Sequence, residues 1–221
     1  MSKEVWTFLS FPLNLRTQAY GNGPGLSIEI DRSIECGHSS NSIKLHFSNH
    51  LGTHVDAPRH FFDNGKAIDQ YSAENWIFSK VVILDVPTSA GGMVGVDDIK
   101  GLLSEINDAD LVFFRTGFEA KRGTASYWSE SPGFSADLCN YLKDRLPSLG
   151  AIGMDTISIS SMKHREMGRE AHRAFLGAGL RIFEDISLRS IKSISLVCAA
   201  PLLIEGGDGA PCTLIALLPH K

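Results

Sequence analysis

The sequence predicts a single-domain α/β protein whose mixed sheet carries a second, antiparallel layer. Three observations lead there. Short apolar runs bounded by turn residues recur through the second half of the chain. Segments with helical spacing lie between some of these runs. The first half is instead dominated by extended, alternating segments.

Taken in order, "YGNGPG" (20–25) is the densest turn signal, and it lies too near the start to divide two domains. "SIKLHFSNHLGTHVDA" (42–57) alternates with period two and reads as extended. "KVVILDV" (80–86), "DLVFFRT" (110–116), "GAIGMD" (150–155), "LRIFED" (180–185), "SLVCAAPLLI" (195–204) and "CTLIALL" (212–218) read as strands. Their continuous apolar character suits strands covered on both faces. Three helices are expected. "VDDIKGLLSEI" (96–106) repeats apolar residues at Val96, Ile99, Leu102, Leu103 and Ile106. "SADLCNYLKDRL" (135–146) has Ser135 as an N-cap, and "SSMKHREMGREAHRAFLGAG" (160–179) has serines to start it and Gly177 or Gly179 to stop it.

With 221 residues the chain is long enough to bury a full core without disulfides. The four cysteines, Cys36, Cys139, Cys198 and Cys212, are scattered with no CxxC and read as reduced. A net charge of -4 argues against nucleic acid or an anionic membrane as partner, since both select a basic face. No stretch approaches 18 uninterrupted apolar residues, and "MSKEVWTFLSFPL" holds no signal-peptide core. A soluble cytoplasmic protein acting on a small molecule is expected.

Chemistry concentrates in "HLGTHVDAPRHF" (50–61). Five of the eight histidines (His38, His46, His50, His54, His60) fall between positions 38 and 60. On a strand, His50, Gly52, His54, Asp56, Pro58 and His60 share one face, while Leu51, Thr53, Val55, Ala57, Arg59 and Phe61 share the other. A helix is rejected, because Gly52, Thr53, Val55 and Pro58 are poor interior residues. A straight strand would hold the Cα atoms of His50 and His54 roughly 13 Å apart. The segment therefore has to bend, and Gly52 is the residue able to do it. A lone histidine on a strand is usually an ordinary hydrogen-bonded residue. Three in register with an aspartate would carry a desolvation cost of several kcal/mol unless an ion or a network compensates them. His50, His54 and Asp56 are the candidate metal ligands, and His60 the candidate proton carrier.

The segment His50–Phe61 also resembles the signature H-x-G-T-H-x-D-x-P-x-H-F of the cyclase family of metal-dependent hydrolases, which includes bacterial kynurenine formamidases and isatin hydrolases. "LSFPL" (9–13), "VFFRTGF" (112–118), "IGMDT" (152–156), "HRAFLGAGLRIFEDI" (172–186) and "AAPLLIEGGDGAPCTLIAL" (199–217) resemble further segments of that family. The resemblance implies a swivelling β/β/α-type layered architecture with one or two divalent ions, zinc or manganese. It implies His50, His54, Asp56, His172 and Glu184 as ligands, Asp56 bridging two ions, and His60 as acid and base. By the same analogy a homodimer or larger homo-oligomer is expected. Four positions depart from the pattern: Phe8 for an aspartate, Ile157 for a proline, Ser160 for an aspartate and Thr213 for an arginine. They put substrate identity in question more than metal chemistry.

The expected activity is hydrolysis of an aryl formamide, N-formylkynurenine to kynurenine and formate, by metal-activated water with a histidine acid–base. Isatin-like lactams come second, and a non-catalytic metal-binding member of the family is the rival. No GxSxG elbow or Walker A motif supports an acyl-enzyme route or a nucleotide cofactor. Trp6, Phe61, Phe62 and Trp128 are candidates to hold an aromatic ring, and Arg115, Asp155, His164 and Trp128 to shape the pocket, although such residues are more often structural.

Overall fold

The computed structural model describes residues 5–219. At its centre lies a nine-stranded mixed sheet. Val81–Asp85, Leu111–Arg115, Ala151–Met154 and Arg181–Glu184 run parallel, side by side in that order. The next strand, His54–Asp56, is antiparallel both to Arg181–Glu184 and to the start of Gly209–Leu218. Beyond it pairing is wholly antiparallel: Gly209–Leu218 with Leu196–Pro201 and Val5–Phe8, and Leu196–Pro201 with Ile77–Phe78. His54–Asp56 is thus the seam between a parallel and an antiparallel half. Two small sheets complete the β-structure, the antiparallel pair Ser27–Arg32 with Ser42–His46 and the parallel pair Met93–Val94 with Gly133–Phe134. The expected α/β class with a mixed sheet and added antiparallel structure is what the chain adopts.

The parallel strands show why their sequences are continuously apolar. In Leu111–Arg115, Val112 and Phe114 enter a core shared with Leu138, Leu142, Phe175 and Leu176 of the helices Asp137–Arg145 and Arg165–Gly177. Leu111 and Phe113 enter the opposite core with Val55, Phe183 and Leu214. Period-two alternation therefore buries both sets. Each fully buried phenylalanine contributes about 1.5–3 kcal/mol by this burial.

The helices depart from expectation at their ends. The segment 96–106 is helical only over Val96–Ile99 and continues as turns, with Leu102 N–H donating to Ile99 O at 2.9 Å. Gly101 is the physical reason, being about 1 kcal/mol worse than alanine inside a helix. Ser135 is not an N-cap, since its N–H pairs with Val94 O and Asp137–Arg145 is capped at Ala136. The helix expected over 160–179 begins at Arg165, behind His164; Ser160 and Ser161 before it are buried, Ser160 in the wall of a cavity. Gly179, at φ +80°, follows its end. The extended segment 42–57 is likewise two strands, Ser42–His46 and His54–Asp56, separated by a turn.

Candidate metal centre

His54 and Asp56 sit two residues apart on the central seam strand, so both side chains leave the same face while Val55 enters the core. His50 does not share that strand, as the one-face expectation required. It reaches the site because Gly52 turns the chain at φ +70°, where a Cβ would lie 2.6 Å from Leu13 Cδ2. His60 is not on the strand either. Pro58 opens a single 3-10 turn, Pro58–His60, that brings the His60 ring to a centroid distance of 4.1 Å from the His50 ring. Glu184 arrives by register. It is the direct partner of His54 across the antiparallel ladder, and directly opposed residues project to one face. His172 comes from the helix Arg165–Gly177. All six residues expected at the site line one cavity of about 290 Å³.

The hydrogen bonds orient the imidazoles. His54 Nδ1 is 2.8 Å from Gly52 O, and His172 Nδ1 is 2.9 Å from Gly168 O. A carbonyl oxygen only accepts, so both Nδ1 atoms carry hydrogen and both Nε2 atoms are left to face the carboxylates. His54 Nε2 lies 3.4 Å from Asp56 Oδ1 and 3.3 Å from Glu184 Oε2. His172 Nε2 lies 3.6 Å from Asp56 Oδ2 and 3.7 Å from Glu184 Oε1. These separations are too long for charge-assisted hydrogen bonds, which run about 2.7–2.9 Å. They suit ligands of a common ion, because two atoms each about 2.1 Å from a tetrahedral cation lie roughly 3.4 Å apart. The donor set of imidazole nitrogen and carboxylate oxygen fits a divalent metal ion.

Burial makes the arrangement expensive without a counter-charge. His54, Asp56, His172 and Glu184 are 3, 1, 5 and 3% exposed. Burial by itself would raise the Asp56 carboxyl, but the imidazoles of His172, His50 and His54 around it, His50 by a hydrogen bond, outweigh burial and hold the group well below the usual carboxylate range. Burial would likewise lower His54, yet Asp56 and Glu184 hold its imidazolium well above the ordinary value. His172 and His50 are raised against burial in the same way, His172 by Asp56 and Glu184 and His50 by Asp56 and Asp208. A pocket that retains protons on buried imidazoles is one where a cation competes well for the same positions.

Asp208 is not among the residues the sequence singles out, because an aspartate in "EGGDGAP" looks like an ordinary turn residue. Its Oδ2 accepts from His60 Nδ1 at 2.8 Å and from His50 Nε2 at 2.9 Å, while its Oδ1 accepts from Asn49 Nδ2 at 2.7 Å. Burial would raise this carboxyl, but His60 and His50 pull it down to about 2. His50 Nδ1 donates in turn to Asp56 Oδ1 at 2.7 Å, so a chain of bonds runs Asp56–His50–Asp208–His60. Gly209 permits it, since a Cβ there would meet the His50 ring. Ser158 Oγ and Ile159 N–H donate to Glu184 Oε1 at 3.0 and 2.7 Å, and Ser160 Oγ lies 3.1 Å from His172 Nδ1.

Of the candidate aromatic residues, Phe61 lines the cavity and stacks on His172, with centroids 4.6 Å apart and an interplanar angle of 9°. Trp6 lies exposed on an edge strand, Phe62 beside Gly177, and Trp128 against the Phe118–Tyr127–Ile157 cluster. Arg115 is held by Asp85, and Asp155 accepts from Thr116 and Gly117; neither faces this cavity. His164 precedes the helix, exposed. Ile157 and Ser160 do line the cavity, whereas Thr213 lies along a separate apolar groove.

Comparison with known proteins agrees with this geometry. The Cyclase family model matches residues 7–161, well over half of the chain, and the chain belongs to that family. Among curated relatives, the kynurenine formamidase of Bacillus cereus is 26% identical over 213 residues, covering 96% of each chain. Isatin hydrolase A from Labrenzia aggregata, bound to benzyl benzoate, has the same fold, with a TM-score of 0.85 at 23% identity over 97% of this chain and 94% of its own. Isatin hydrolase A from Ralstonia solanacearum matches equally well, with a TM-score of 0.85 at 20% identity over 98% and 92%. These relatives are hydrolases of non-peptide carbon–nitrogen bonds, the class expected from the sequence. Among the described residues, no helix is long and apolar enough to cross a membrane.

Proposed function

We propose that the chain is a single hydrolase domain that cleaves an amide with the help of one or two divalent ions, zinc or manganese. The observation that carries this reading is the convergence of His54 Nε2 and His172 Nε2 on the oxygens of Asp56 and Glu184, with both ring N–H groups turned away. Each carboxylate offers one oxygen toward His54 and the other toward His172, an arrangement that supports two neighbouring ions. His50, once its Nδ1 gives up the proton it donates to Asp56, would hold one together with His54, Asp56 and Glu184, and Asp56, Glu184 and His172 would hold the other. A bound divalent ion would supply Lewis acidity, polarising the amide carbonyl and acidifying water.

The chain's own residues supply the proton traffic. His60 gives its Nδ1 proton to Asp208, which leaves Nε2 as the basic nitrogen. The His60 side chain lies within 4.8 Å of ligand atoms of Asp56 and His172, so it borders the reacting water. It takes a proton as water adds to the carbonyl and returns that proton to the amine as the C–N bond breaks. Asp208 holds the ring in the required tautomer, and through His50 it also orients a ligand, as carboxylates behind metal-bound imidazoles do. Phe61 offers a flat apolar surface beside the site, which suits an aryl substrate.

The favoured substrate is N-formylkynurenine, cleaved to kynurenine and formate, with a cytoplasmic homodimer or larger homo-oligomer as the working form. The test is turnover of N-formylkynurenine and of isatin by protein reconstituted with zinc or manganese, with metal content measured alongside. Turnover of isatin alone shifts the assignment to lactams. Full metal occupancy with no turnover of either favours the non-catalytic rival. His60→Ala is expected to keep its metal and to lose roughly 10²–10⁴ in kcat, the usual contribution of a positioned acid–base group. Loss of the ion instead would make His60 a ligand.

A further inference from the structure

The same cavity is lined by two cations that neither ion binding nor proton transfer employs, Arg165 and Arg169. Both lie on the helix that carries His172, at positions that repeat every three or four residues, so 165, 169 and 172 form one row. At 1.5 Å per residue, Arg169 stands about 4.5 Å and Arg165 about 10.5 Å along the axis from His172. Gly168 lets this row come close, because a Cβ there would run into Ser160. Arg165 has no ion-pair or hydrogen-bond partner among the described residues. Arg169 pairs only with Glu166, whose side chain is 78% exposed, and such surface pairs exchange easily. Both charges act on the half-buried phenol of Tyr20 in the same cavity. Burial raises that phenol, and Arg165 and Arg169 pull it back, so the guanidinium groups bear on the cavity interior.

We infer that Arg165 and Arg169 form an anion subsite, and that the substrate is an amide carrying a carboxylate about 4.5–10.5 Å from the bond that is cut. This deepens the amide-hydrolase reading and rests on it. Guanidinium pairs carboxylate in two-pronged fashion, and ions held by Asp56 and Glu184 would neutralise the cavity's own negative charge. The row then acts as a ruler, with the scissile carbonyl near His172 and the carboxylate toward the mouth. A neutral amide or lactam has nothing to place there.

The experiment compares N-formylkynurenine with its carboxamide, which keeps the ring and the scissile bond and removes only the charge. Metal-loaded wild-type enzyme is expected to favour the acid by on the order of tenfold or more in kcat/KM, mainly through KM, as binding remote from the chemistry does. In the double variant R165A/R169A that ratio falls toward one. Equal use of acid and carboxamide by the wild type, or an undiminished ratio in the variant, overturns the inference. If neither compound is hydrolysed, calorimetry with kynurenine and its carboxamide still decides the matter. Binding that needs both the carboxylate and the two arginines upholds the subsite while the hydrolase reading fails. Carboxylate binding retained in R165A/R169A assigns the anion to the metal centre and removes the subsite.

Discussion

Replacing Asp208 with asparagine tests whether one half-exposed carboxylate organises both the ligand His50 and the acid–base His60. Its Oδ2 accepts from His60 Nδ1 at 2.8 Å and His50 Nε2 at 2.9 Å. Hydrogen bonds to a charged partner contribute about 1.5–3 kcal/mol each. The side chain is 38% exposed, so water replaces part of that, and the expected total is nearer 2–3 kcal/mol than the full sum. An amide has a single acceptor oxygen and must turn its NH2 toward one of the rings, which favours the wrong tautomer there. The share lost at His60, about half of this, corresponds to roughly 10-fold in kcat. Weaker orientation of His50 adds about 10-fold or more in metal affinity, the usual effect of a partner behind a ligand. Steady-state kinetics at saturating metal separates the two effects. In a double-variant cycle with His60→Ala, the asparagine is expected to add little, because its effect on rate runs through that ring. A kcat within threefold of wild type at full metal occupancy would refute the assignment. Loss of one whole equivalent of ion would show that Asp208 is itself a ligand, in the group it forms with His50 and His60.

Glu184→Gln removes the charge that faces both imidazoles, and elemental analysis is expected to find fewer ions per chain; unchanged content would favour a one-ion enzyme. The metal-free protein has a definite pH signature. His50, His54 and His172 are raised above their ordinary values, so their stabilisation is complete below roughly pH 6.5 and is lost as pH climbs through the raised values. Asp56 is depressed, so its contribution holds above about pH 4 and is lost only in stronger acid. Chelator-treated protein should therefore melt at a lower temperature at pH 8.5 than at pH 6, whereas metal-loaded protein should not, since its ligands bind deprotonated. A metal-free Tm that rises with pH contradicts this. Gly52→Ala places a side chain at φ +70° against Leu13, at an expected cost of about 1–3 kcal/mol in chemical unfolding, with metal affinity falling as His50 shifts.

Much of this architecture is written in local patterns. The four parallel strands are legible because each buries both faces, as Leu111–Arg115 does, and a doubly buried strand reads as an unbroken apolar run. His54 and Asp56 are legible as an alternating pair, and Gly52 as the bend between His50 and His54. Glu184 and His172 are reached only through family resemblance. What joins them to the site is the register Glu184↔His54 and the docking of a helix, neither of which any short window contains. Asp208 escapes for the same reason, its partners lying 148 and 158 residues earlier. The serines at 160 and 161 mislead in the opposite sense. They look like helix caps, yet both are buried and Ser160 approaches His172, so the helix starts later. Here tertiary hydrogen bonding outcompetes the local cap.

The position of the site follows from the sheet. Only a strand flanked on both sides can receive groups from two neighbours, and His54–Asp56 is where the parallel half meets the antiparallel half. Arg181–Glu184 delivers Glu184 from one side, and the turn leading into Gly209–Leu218 delivers Asp208 from the other. The seam strand is only three residues long, so its ladder is short and the buried ionisable groups it carries work against folding. Val55 counters this on the other face, where it is fully buried beside Phe183 and Ala210. An apolar anchor on one side and a charged constellation on the other is an arrangement that stability alone would not select. It is consistent with a strand held in place by the core so that its polar face can be held ready for an ion.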